Sequence, residues 1–186
     1  MNQKTTKILA LAIYASFVFT LIGYYSFGHE TKIYASNISK NESVALAETN
    51  KIRKEKGVAT LSWNSKLANA AQDKARDMVD DNYFDHTSPS GKKAWNFVLG
   101  ENYEYKAAGE NLAIDFDSVK DATVAWKESP THYSNIISPK YTDFGFAELN
   151  GVINGKSTTV YVQIFGSEMS IYEQALVSSK GGSNVN

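Results

Sequence analysis

Cysteine is absent from the 186 residues. Its absence excludes disulfides, thiolate nucleophiles, thiolate zinc sites and lipidated cysteines, so the fold must rest on its core alone. Any chemistry then belongs to His, Asp, Glu, Ser or Tyr. Histidine and proline are scarce, three of each, so each one stands out by position. An excess of charge is missing too: 19 Lys and Arg face 20 Asp and Glu, for a net charge of −1. That balance excludes the broad phosphate neutralisation on which nucleic-acid binding depends. A glycine-rich phosphate loop, a repeating strand–helix alternation and a repeat of solenoid length are all lacking, which argues against doubly wound nucleotide folds and repeat arrays.

What is present is 42% hydrophobic side chains, enough for one globular domain with appendages. One long apolar run exists, Ile8 to Phe27, behind the basic start MNQKTTK. At about 1.5 Å rise per residue it is long enough to cross a hydrocarbon core of about 30 Å. Residues 1–27 are therefore expected to be an apolar helix acting as a signal peptide or a retained N-terminal membrane anchor, with Lys4 and Lys7 leaving the rest outside the cytoplasm. Residues 28–41 read as a linker, 42–168 as the folded domain, and 169–186 as a tail that loses order from about 178.

Within the domain, ESVALAETNKIRKEKG places Val44, Leu46, Ala47, Ile52 and Arg53 on recurring helical positions and ends at Gly57. The stretch from Leu67 to Val79 carries Ala70, Ala71, Ala75 and Met78 at three-and-four spacing, a core stripe, with Trp63 packed over the helix's start. A short helix is expected over Lys93–Leu99, a strand over Tyr103–Ala108, and a helix capped by Ser118 that ends before Pro130. The last third changes period: DFGFAELN and STTVYVQIFGS alternate around GVINGK with its two Asn-Gly pairs, an antiparallel hairpin. Helices first and strands last predict an α+β fold.

Two histidines border Ser-Pro turns, in DHTSPSG and in SPTH, and Glu110 sits amid apolar neighbours in AGENLA. A carboxylate so placed is costly unless paired, and His86 and His132 are natural partners if the turns aim them at one cleft. Asn111 and Asn135 read as holders of the cleft loops. Ser88 and Ser129 read as turn residues, since no GxSxG elbow accompanies them. Tyrosine and phenylalanine, 11 and 9, suit either a core or the walls of a site for sugar or lipid.

The blocks WNSKLANAAQDKARDM, YFDHTSPSG, AGENLA, AWKESPTHYSNI and YTDFGFA, in that order over Val44–Ser167, resemble the bacterial, cysteine-free branch of the CAP superfamily. This superfamily includes the cysteine-rich secretory proteins, insect-venom antigens and plant pathogenesis-related proteins. The resemblance implies a three-layer α-β-α sandwich with a central cleft, in which a His-Glu-Glu-His tetrad holds zinc or another divalent metal. His86, Glu110 and His132 match three of the four ligands. Glu128 stands nearest the fourth place, two residues after Trp126, where animal and plant members carry the glutamate one helical turn after the tryptophan.

The expected function is that of an exported binding protein, not of an enzyme. Its cleft would take a small amphipathic ligand, a cell-wall component or a protein partner, and the membrane is reached through the N-terminal segment if that stays uncleaved. The alternative is a zinc-dependent hydrolase, protease-like, in which Glu110 is a third ligand or general base beside His86 and His132.

Overall fold

The computed structural model describes residues 38–181. The apolar run at 8–27 and most of the expected linker lie outside the described residues. Among those described, no helix is long and apolar enough to cross a membrane. Ser36–Asn186 forms a compact unit of its own.

Helix α1 spans Lys40–Glu55 and starts two residues before the expected domain boundary, because Ser39 and Glu42 form a reciprocal capping box. Its buried face is Ala45, Thr49, Ile52 and Arg53, while Ala47 is exposed. Ile52 and Arg53 are thus buried as expected, Ala45 and Thr49 join them, and Ala47 lies off this face. Strand β1 is only Ser62–Trp63, too short to leave a pattern. Helix α2 covers Ser65–Asp80 behind the cap of Asn64 and buries the expected stripe together with Lys74. Helix α3 is Ala94–Gly100.

Strand β2 runs from Tyr105 to Ile114, so AGENLA is the strand itself and not the segment it leads into. Helix α4, Val119–Glu128, is capped by Ser118 as expected. Pro130 then opens a separate helix α5, Pro130–Ile136, in the first helical position where a missing N–H costs nothing. His132 therefore stands on a helix and not on a turn. Strands β3, Asp143–Ile153, and β4, Lys156–Glu168, form the expected hairpin. Its turn uses the second Asn-Gly pair, Asn154 and Gly155, both at positive φ. The first pair lies inside β3, where the bare Cα of Gly151 makes room for Val79.

The sheet order is β1-β3-β4-β2, with β1 parallel to β3 and the other pairs antiparallel. Alternation along β4 divides the core in two. Val160, Val162 and Ile164 face α2 and α3, whereas Tyr161 and Phe165 face α1, α4 and α5. Helices on both faces of the sheet make the three-layer α-β-α sandwich. A last helix, α6, spans Ile171–Gly181, started by Ser170 and Glu173 and tied to the domain by Lys106–Glu173. It extends past the point, near 178, where composition alone suggested a loss of order.

Candidate functional site

Glu110 lies in the edge strand β2 with its side chain on the α2/α3 face, opposite Ile164. Its side chain is 4% exposed, and Oε2 accepts a 2.6 Å hydrogen bond from Nδ1 of His86, itself 60% exposed. The other oxygen, Oε1, is buried and has no hydrogen-bond partner. Desolvating a carboxylate this far needs compensation. It comes from beneath, where the buried Lys74 of α2 feels the Glu110 charge.

The same Lys74 builds the loop that presents His86. Its Nζ donates to Tyr83 Oη at 2.9 Å, to the Asp85 carbonyl at 2.8 Å and to that of His86 at 3.4 Å. Tyr83 in turn donates to Asp77, which also pairs with Lys92. Asp85 accepts from the Thr87 N–H, an Asx turn, and Ser88 is buried as an acceptor for the Lys92 N–H. Ser88 is thus a turn residue, as expected. Lys74 was missed: on an amphipathic helix a lysine looks like solvent-facing charge, and only the tertiary fold reveals three acceptors converging on it.

His132 approaches from the opposite layer. Its Nδ1 pairs with Ser129 Oγ at 2.9 Å, within the first turn of α5. A buried amide chain fixes this helix against the sheet. Gln163 donates to Thr49 Oγ1, and Asn111 donates both to Gln163 Oε1 and to the His132 carbonyl. Asn135 donates to Asn111 Oδ1 and to the Glu110 carbonyl. Asn111 and Asn135 therefore hold the cleft together, as the sequence suggested. Alternate carbonyls of β2 are capped by side chains: Ala108 by Tyr141 Oη, Glu110 by Asn135 Nδ2, and Leu112 by Trp126 Nε1.

Between the layers opens a cleft of about 480 Å³ on which His86, Glu110 and His132 all border. Glu128 does not join them; it is exposed at the end of α4, away from the cleft. Among the described residues no group of three or more His, Asp or Glu side chains could hold a metal ion. Nδ1 of His86 is engaged by Glu110 and Nδ1 of His132 by Ser129, which leaves Nε2 of each ring as the atom a metal would take, while Glu128 stands elsewhere. Three of the four side chains that the resemblance implied thus border one cleft, and the fourth, Glu128, does not.

The two imidazoles are driven apart in acidity. The hydrogen bond to Glu110 holds the pKa of His86 above the ordinary value, against some desolvation. Burial, helped by the charge of His86, holds that of His132 below it. His86 therefore stabilises the fold at pH below about 6.5 and loses that contribution as pH rises through its raised pKa; His132 resists protonation and opposes folding as pH falls. In a proton NMR titration of residues 38–186, which contain only these two histidines, the two curves should separate to either side of about 6.5. Glu110→Gln should bring His86 back toward that value. Coincident curves in the wild type would refute the pairing.

Comparison with known proteins agrees with this architecture. The profile of the CAP, or cysteine-rich secretory protein, family matches residues 46–165. The Bacillus subtilis protein YkwD is 34% identical over 110 residues, which cover 59% of this chain and 43% of YkwD. The Bacillus subtilis membrane protein YlbC is 30% identical over 105 residues, 56% of this chain and 30% of YlbC. The chain thus spans less than half the length of these relatives. An extracellular SCP-domain protein of Bacillus anthracis superposes with a TM-score of 0.60 at 27% identity, over 69% of this chain and 40% of that one. An outer surface protein of Borrelia burgdorferi, with a TM-score of 0.61 at 17% identity over 72% of this chain and 96% of that one, shares the fold. With the family profile spanning residues 46–165, which include every residue that borders the cleft, the chain belongs to the CAP family of cysteine-rich secretory proteins, as a member without cysteine.

Proposed function

We propose that the chain is an exported CAP-domain protein whose cleft binds a small ligand, a cell-envelope component or a segment of a partner, and that it is a binder and not a catalyst. The observation that carries this reading is Glu110: a buried carboxylate in the edge strand at the cleft, with one oxygen held by His86 and the other without a protein partner. A desolvated carboxylate oxygen with no protein donor supports a ligand-binding role for the site. Export is supported by the basic and apolar N-terminal segment and by the extracellular SCP-domain neighbour. The membrane relative YlbC favours a tethered form in which residues 1–27 are retained.

No assembled nucleophile supports catalysis among the described residues. Ser129 reaches His132, but only within one helical turn, and it does not border the cleft. The metal-hydrolase alternative would rest on His86, Glu110 and His132, which border the cleft but form no group able to hold a metal ion among the described residues. The test is an amide NMR titration of labelled residues 38–186 with a soluble cell-wall digest and, separately, with lysophosphatidylcholine micelles. Shifts centred on residues 108–110 and 131–135 are expected from at least one of these, weakened in Glu110→Gln. Shifts confined to other surfaces would overturn the reading. Zinc at micromolar concentration is expected to leave the melting temperature unchanged, and a rise that disappears in His86→Ala would transfer support to the hydrolase.

A further inference from the structure

The cleft offers more than a free acceptor, and what its walls select rests on the ligand-binding reading above. The second residue of α3, Trp95, borders the cleft half-buried and is braced from behind by Tyr105, ring centroids 6.2 Å apart at 48°. Beside it the lining is small: Ala94, Ala108 and Gly109 carry at most a methyl group. A fixed indole next to a shallow floor accommodates a flat, rigid apolar face.

The polar half of the ligand is set by charge. Glu110 Oε1 accepts only, so it calls for a donor. An ammonium donor meets three obstacles: the charge of Lys74 already acts on the carboxylate, His86 occupies its other oxygen, and Lys93 stands on the cleft wall. A neutral hydroxyl or amide N–H meets none of them. An acyl chain fits no better, because Thr87, Thr131, Lys93 and both histidines interrupt the apolar surface, and burying alkyl groups against unpaired polar atoms is unfavourable. A ring with one apolar face and a rim of neutral donors satisfies every part of the lining.

We propose that the cleft is a carbohydrate subsite, in which a neutral or N-acetylated sugar stacks on Trp95 and donates a hydroxyl or amide hydrogen to Glu110. The test uses residues 38–186, a compact unit holding both cores, titrated with the trisaccharide of N-acetylglucosamine by calorimetry and amide NMR. Saturable binding is expected, with shifts at Ala108, Gly109 and Glu110. Trp95→Ala and Glu110→Gln should each weaken it by about tenfold or more, the loss of one stacking or charge-assisted contact, and Trp95→Phe should restore part of it. Melting curves identify any variant that has simply lost its fold, and the conservative Phe variant then decides. Unchanged affinity in Trp95→Ala overturns the subsite. Binding of decanoate or of a diamine at the same amides, with none of the trisaccharide, overturns the sugar assignment while leaving the binding cleft intact. Failure of all three probes, together with the wall digest and the micelles, overturns both.

Discussion

Replacing Arg53 by methionine is expected to destabilise the domain by at least about 3 kcal/mol, the range for breaking a buried charged network. Arg53 on α1 is 0% exposed. Its guanidinium donates to main-chain oxygens, the carbonyls of Ala59, Ile136, Ser138 and Tyr141. Those carbonyls belong to the α1–β1 loop, the end of α5 and the segment leading to β3. One planar fork of donors thus satisfies several main-chain acceptors that have no regular secondary structure to satisfy them. Methionine fills much of the volume but leaves the acceptors bare, and desolvated carbonyls without donors are what make the loss large. Lysine should not rescue, because one ammonium cannot reach acceptors spread over three segments. Urea denaturation of wild type, Arg53→Met and Arg53→Lys measures the effect, read from the midpoint at unchanged slope. A loss below about 1 kcal/mol in the methionine variant would show that water replaces the guanidinium with little penalty.

Gly145→Ala should be comparably severe for the opposite reason. A Cβ at Gly145 in β3 would lie 2.1 Å from the Leu67 carbonyl carbon and 2.3 Å from the Ala68 nitrogen. Both atoms are main chain of the first turn of α2, so no side-chain rotation relieves the clash. The helix must move off the sheet and open the core formed by Leu67, Ala71, Ala147 and Val162. Overpacking against mobile side chains costs about 1–3 kcal/mol; against a fixed helix backbone the upper end or beyond is expected. Gly100→Ala is the control, with nothing within 4 Å of its added methyl, and should change stability by no more than about 0.5 kcal/mol. Similar losses in the two variants would mean that α2 tolerates displacement.

The parts of this molecule that were legible in its sequence are those where apolar periodicity and local chemistry agree. The stripe of α2, the Ser118 cap and the β3–β4 hairpin appear where expected. Of the site, His86 and Glu110 could be singled out because a glutamate in an apolar strand demands a partner, and they meet at 2.6 Å. His132 reaches the same cleft, but from a helix begun by Pro130, so the Ser-Pro pair there is a helix start. What stayed hidden is polar and buried. Lys74, Thr49 and Gln163 look like surface residues until three-dimensional neighbours supply their partners. Arg53 fell on the expected face of α1, yet nothing in its spacing announced carbonyls more than 80 residues away. Glu128, placed by the resemblance two residues after Trp126, is exposed at the end of α4 and does not border the cleft.

The three side-chain caps on β2 have a consequence for how this domain meets other polypeptides. An edge strand ordinarily invites another chain to pair with it, whether as a swapped segment, a fibril layer or an extended peptide. Here the acceptors such a visitor would need, at Ala108, Glu110 and Leu112, are already taken by Tyr141, Asn135 and Trp126. A domain without disulfides thus closes off at this edge the main route to templated polymerisation, and whatever docks beside it must be read through side chains.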